Sequence, residues 1–230
     1  MSICRRSFLL SVSITAALLG SSPGARGATI VSVGPSASWL GYMNVFELPQ
    51  NGGAYVFGSP WGTADLRAVF SGPKLTLFPN SIGDPAPFWY VGGGGPGAQG
   101  NKNMEANMYL EFTGPLAGQT LTFVGEVLSN TLVSPYTSVA FIKDFAPDYS
   151  SFTVVTTPLV PGPFSLTLAT INDPARHVQY GFTTLGPDVW ITDAPGKGAV
   201  EIIPEPAGVA LGFIGLLGLG LLRRNRREFP

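Results

Sequence analysis

With 230 residues, 12% of them charged and a formal net charge of −1, the chain has room for one domain plus appendages and carries about half the charge of an ordinary soluble domain. Residues 28–200 hold six Lys and Arg against eleven Asp and Glu. That leaves a mildly acidic body with no cationic patch to displace phosphate counterions, so nucleic acid is excluded as a partner. The single cysteine is Cys4, and a body without thiols has no disulfide, no Cys-ligated metal and no Cys nucleophile.

The first predicted element is a signal peptide over residues 1–27. Arg5 and Arg6 precede an apolar stretch from Phe8 to Leu19, which breaks at Gly20. Twelve residues span about 18 Å as a helix, too short for a bilayer but the usual length of a signal-peptide core. Small residues at Ala25 and Gly27 place the expected cleavage before Ala28. The string Arg-Arg-Ser-Phe-Leu-Leu also resembles a twin-arginine export signal. It lacks the usual basic residue after the core and the body offers no cofactor ligands, so the general secretory route is the preferred expectation.

Residues 28–203 read as the folded body. Over the whole chain Gly (30) and Pro (21) are abundant, Thr, Val, Phe and Tyr are frequent, and Lys and Glu are scarce, the balance of short strands joined by tight turns. The clearest strand covers 103–113, where Met104, Ala106, Met108, Leu110 and Phe112 alternate with Asn103, Glu105, Asn107, Tyr109 and Glu111. Period two sends the first set to a core and the second toward water. Similar alternation marks 75–78, 120–127, 164–169 and 178–183, and less regular candidates lie at 29–33, 40–46, 54–57, 65–70, 137–144, 152–155 and 189–193. About a dozen strands without an amphipathic helix predict an all-β, two-sheet antiparallel β-sandwich, jelly-roll-like.

Residues 87–103 read as a flexible connector. Gly95, Gly97 and Gly100 match G-x-G-x-x-G, but no strand precedes them and no helix with a downstream acid follows. The aromatics beside Gly and Pro are the candidate binding residues. Trp61, Trp89 and Tyr90 would offer ring faces to the C–H face of a sugar, with Asn103, Asn107 and Asp84 reaching its hydroxyls.

Candidate chemistry is thin. Asn101, Asn103 and Glu105 supply oxygens at alternate positions, but a calcium ion needs six to eight oxygens from a tight turn. Asp144 and Asp148 form the better carboxylate pair, read as a solvated turn because Pro147 lies between them and Lys143 beside them. The only histidine, His177, reads as an exposed strand-edge residue, and no nucleophile-elbow serine accompanies it. Two-carboxylate glycosidase chemistry would draw on Asp84, Glu105, Asp144 and Asp148. No cofactor and no metal are expected.

The chain closes with three signals in a row. Pro204-Glu205-Pro206 is stiff and extended, because each proline fixes its own φ and biases the preceding residue away from helix. Residues 207–222 are uncharged, with nine bulky apolar side chains. As a helix they reach about 24 Å, short of the ~30 Å hydrocarbon core. At roughly −0.3 to −0.6 kcal/mol each, those nine favour insertion by about 3 to 5 kcal/mol before the glycines weaken it. Arg223, Arg224, Arg226 and Arg227 hold the far end in the cytoplasm, which places the body outside.

This order of Pro-Glu-Pro, short apolar helix and basic cluster resembles the PEP-CTERM protein-sorting signal, over residues 204–230. The resemblance implies an exosortase, a membrane-embedded cysteine protease-transpeptidase, as partner. It also implies removal of the tail and delivery to the cell surface or extracellular matrix of a Gram-negative-type bacterium. It assigns the body no activity. The expectation is therefore a non-enzymatic exported protein of structural role that meets the secretory translocon, signal peptidase and, transiently, the inner membrane. A carbohydrate-binding module and a surface glycosidase are the alternatives.

Overall fold

The computed structural model describes residues 28–204. The expected signal peptide, Glu205, Pro206, the 207–222 helix and the four tail arginines lie outside the described residues. Among the described residues no helix is long and apolar enough to cross a membrane.

Twelve strands build the body: β1 (Ala28–Ser32), β2 (Leu40–Glu47), β3 (Tyr55–Pro60), β4 (Ala68–Ser71), β5 (Lys74–Leu77), β6 (Lys102–Thr113), β7 (Thr120–Asn130), β8 (Thr137–Phe145), β9 (Phe152–Pro158), β10 (Gly162–Ala169), β11 (His177–Pro187) and β12 (Val200–Ile203). They form two six-stranded sheets. In the first, β7 is flanked by β10 on one side and by β1 and β12 on the other, and β12 continues through β5 to β4. The pairing of β1 with β7 is parallel; the other pairs are antiparallel. The second sheet runs β3-β2-β6-β11-β8-β9 and is antiparallel throughout.

The sheets meet through their apolar faces. Leu121, Phe123 and Val127 of β7, Phe164, Leu166 and Leu168 of β10, and Ile202 of β12 pack in one cluster with Met108 and Leu110 of β6, Ile142 of β8, and Val178, Tyr180 and Phe182 of β11. Each set falls on alternate positions, which is why the period-two reading locates most of the strands. β6 and β11 approach so closely that a Cβ on Gly181 would stand 2.0 Å from the carbonyl oxygen of Met108.

Beyond that shared core the second sheet is covered by loops instead of strands. Met43 and Val45 of β2 and Met104 and Ala106 of β6 pack against Leu66, Ile82 and Tyr90, flanked by Trp61, Trp89 and Trp190. Residues 87–103 are part of this cover, and the expectation of a loose connector gives way to a tied-down loop. Tyr90 pairs with Gly100, Val91 N–H donates to Gln99, Asn101 N–H to Trp89 and Gly94 N–H to Pro85, and Gly97 N–H donates to the Asp193 carboxylate at 2.6 Å.

Two strand expectations change. Residues 189–193 form no strand; Pro187 ends β11 and Pro195 opens a 3-10 turn at Ala194–Lys197, so the apolar Val189 and Trp190 serve as loop anchors. β12, four residues between Gly198 and Pro204, is absent from the expected set, yet it joins β5 to β7.

Candidate binding cleft

The outward face of the second sheet carries residues that alternate with its core set, and they line a cleft of about 550 Å³. Strand register brings them together. Tyr42 lies opposite Asn107, Asn44 opposite Glu105, Glu111 opposite Gln179 and Gln179 opposite Lys143. Phe145 pairs with Phe152, and Pro60 pairs with Tyr42 at the other edge.

The floor carries two hydrogen-bonded groups, one around Glu105 and Asn107 and one around Glu111. Glu105 Oε1 accepts from Asn44 Nδ2 at 2.9 Å and from Asn107 Nδ2 at 3.0 Å. Asn107 Oδ1 accepts from Thr183 Oγ1 at 2.7 Å and from Lys143 Nζ at 3.3 Å. Glu111 accepts from Gln179 Nε2 at 2.6 Å and from the Tyr149 hydroxyl at 3.0 Å. Asn107 is only 4% exposed, so the expectation that this face of β6 is simply solvated fails there. The neighbouring strands raise side chains on both sides of it.

Electrostatics follow from that crowding. Burial pushes the Lys143 ammonium below its ordinary range, partly offset by Glu105; its Nζ also sits 4.3 Å from the Phe141 ring centroid. Burial, then Glu111 and Tyr42, raise the Tyr109 phenol. Burial and the bond to Glu111 push Tyr149 up to about 12. These hydroxyls stay protonated at neutral pH and remain donors. The residual capacity is mixed: the hydroxyls of Tyr42 and Tyr109, Asn44 Oδ1, Gln179 Oε1 and the unused Lys143 hydrogens, beside five aromatic rings.

One wall is held by the only histidine. Tyr149, at φ +57°, stacks on His177 with centroids 4.3 Å apart and planes 10° apart. The His177 ring contacts Thr113 Oγ1 at 2.7 Å and the Pro147 carbonyl at 3.2 Å. His177 opens β11, an interior strand of its sheet, and is half-buried, which corrects its reading as an exposed edge residue.

The other sequence candidates fall elsewhere. Tyr90 is fully buried; its hydroxyl donates to the Ile82 carbonyl at 2.6 Å, accepts the Ile82 N–H at 3.2 Å, and lies 3.2 Å from the Val189 carbonyl. Burial pushes its phenol up to about 12, and it offers no ring face to solvent. Trp61 and Trp89 are half-buried against the loop-covered core, Trp61 donating to Ser59 Oγ at 2.8 Å. Asp84 caps its own turn through the Ala86 N–H. Asn103 lines two other hollows, and Asn101 holds the carbonyls of Pro87 and Phe88.

The acids do not converge. Asp144 faces the interior, 1% exposed. It pairs with Arg176 Nε at 2.7 Å and accepts the Ile171 N–H at 2.8 Å, which corrects the solvated-turn reading. Asp148 lies in the β8–β9 turn, its carboxyl held below the ordinary range by hydrogen bonds from Ser150. Glu105 and Glu111 do share the cleft, but six residues along one strand separate them by about 20 Å. A glycosidase pair stands about 5 to 9.5 Å apart. Among the described residues no three of His, Cys, Asp and Glu form a group able to hold a metal ion.

No protein-family model matches the chain, and no curated protein matches its sequence.

Proposed function

We propose that this is an exported, non-enzymatic cell-surface or matrix protein, a jelly-roll-like β-sandwich that holds extracellular polysaccharide in the cleft of its second sheet. The observation that carries the binding role is the cleft itself, where a pre-bonded floor of amides and carboxylates is set among Tyr42, Tyr109, Phe145, Tyr149 and Phe152. Rings give sugar C–H faces a platform, and the unspent donors and acceptors match alternating hydroxyls. The wide spacing of Glu105 and Glu111 favours binding over hydrolysis.

Delivery in this reading follows the tail. The translocon and signal peptidase handle residues 1–27. An exosortase then reads Pro204-Glu205-Pro206 while 207–222 sit in the inner membrane, with Arg223, Arg224, Arg226 and Arg227 on the cytoplasmic side. Two experiments test the proposal. Intact-mass and C-terminal mapping of protein recovered from the producing cells should find a species beginning near Ala28 and ending near Pro204; full-length chain would overturn the sorting. Titration with the cells' extracellular polysaccharide should give binding that Tyr109→Ala weakens and Trp89→Ala leaves intact; no binding would overturn the glycan role.

A further inference from the structure

A second hollow adjoins the cleft. Pro60, the last residue of edge strand β3, lines both the cleft and a shallow pocket of about 560 Å³ formed with Trp61, Asp65, Arg67 and Ser81. A chain lying across the cleft toward β3 therefore runs over Pro60 into this pocket.

Arg67 is the unusual residue there. Its backbone is left-handed, at φ +58°, a conformation that costs a side-chain-bearing residue of order 1 kcal/mol or more and recurs at ligand sites. Its Nε is buried with no hydrogen-bond partner. The six cations of the described body are Arg67, Lys74, Lys102, Lys143, Arg176 and Lys197. Lys74, Lys102 and Arg176 are ion-paired, Lys143 is bonded into the cleft floor, and Lys197, also outside any ion pair, lines a different hollow with Tyr136. Arg67 has no acid within ion-pair distance among the described residues, and rests on the Phe78 ring at 5.3 Å. A guanidinium is a planar fork matched to carboxylates, and here it shares a pocket with a tryptophan suited to a sugar ring.

We infer that the polysaccharide held by the cleft is an acidic one whose uronate carboxylate is taken by Arg67, its sugar ring lying against Trp61. This rests on the glycan-binding reading and adds the ligand's charge. A body with more acids than bases disfavours a densely charged polyanion, so the fitting chain carries sparse carboxylates separated by neutral sugars, which occupy the Tyr42–Tyr109 region.

The test compares the uronate-bearing polysaccharide fraction of the producing cells with the same fraction after its carboxylates are reduced to primary alcohols. Both are titrated calorimetrically into the mature protein. The native fraction should bind about tenfold tighter than the reduced one, and the difference should shrink as salt rises. Arg67→Gln should abolish the difference without altering affinity for the reduced fraction, whereas Tyr109→Ala should weaken both. Where Arg67→Gln lowers the unfolding midpoint, Arg67→Lys replaces it; a point charge without the fork should keep only part of the preference. Equal affinity for the two fractions, or a preference that survives Arg67→Gln, overturns the carboxylate site and leaves the cleft standing. Binding indifferent to Tyr109→Ala, or no binding to either fraction, overturns the cleft reading and this inference with it.

Discussion

The substitution Asp188→Asn should change how the stability of this protein depends on pH. Asp188 is 1% exposed. Its Oδ1 accepts the Lys102 N–H at 3.1 Å, and its Oδ2 has no partner. Burial, only partly countered by backbone hydrogen bonds, pushes its carboxyl from 3.8 up to about 6. Between those values the folded chain holds a proton that the unfolded chain has released. Stability from this group is therefore full below about pH 4, falls as pH rises to about 6, and is flat above. About two pH units at roughly 1.36 kcal/mol each amount to about 3 kcal/mol. An amide in place of the carboxyl keeps the acceptor for the Lys102 N–H and carries no charge, so relative to the native chain the variant should gain about that much between pH 4 and pH 7. Urea unfolding followed by tryptophan fluorescence at several pH values reads the difference directly, and the other carboxylates cancel in the comparison. Parallel pH profiles for the two chains would refute the reasoning.

Three further outcomes rest on the packing. Arg176→Met strips the partner from buried Asp144 and should cost about 3 to 5 kcal/mol in denaturant unfolding. Gly181→Ala drives a methyl into the β6 backbone and should cost at least about 1 to 3 kcal/mol, measured as a lowered midpoint with an unchanged strand signature in circular dichroism. Tyr90→Phe removes the hydroxyl that serves Ile82 and should cost about 1 to 3 kcal/mol, with faster hydrogen exchange at the Ile82 amide.

Much of the architecture is legible in the amino-acid pattern because a strand with one buried face declares itself residue by residue, as β6 does through Met104, Ala106, Met108 and Leu110. β12 escapes that logic; four residues are too few to establish a period. The run at 189–193 misleads for the opposite reason, since apolar side chains that anchor a loop look like those of a strand. The cleft is less legible than the fold. Apart from Tyr149 in the β8–β9 turn, its residues come from β2, β3, β6, β8, β9 and β11, whose neighbours in the sheet are mostly not neighbours in sequence, so Tyr42, Lys143 and Gln179 gain meaning only through register. The hint in the sequence is Asn107 and Tyr109, large polar and aromatic groups where a solvated face would more simply carry Lys or Ser. Asp144 cannot be placed from its local sequence because its partner lies 32 residues downstream.

The position of β12 bears on when the molecule can close. Its four residues are the bridge between β7 and the β4–β5 ribbon, so until they arrive the first sheet stays in two pieces with its interior open. A ribosome delivers these residues after every other strand of the described residues. The body thus behaves like a box whose latch is cut from the last piece of board: among the described residues, the strand that closes the first sheet ends a single residue before Pro204.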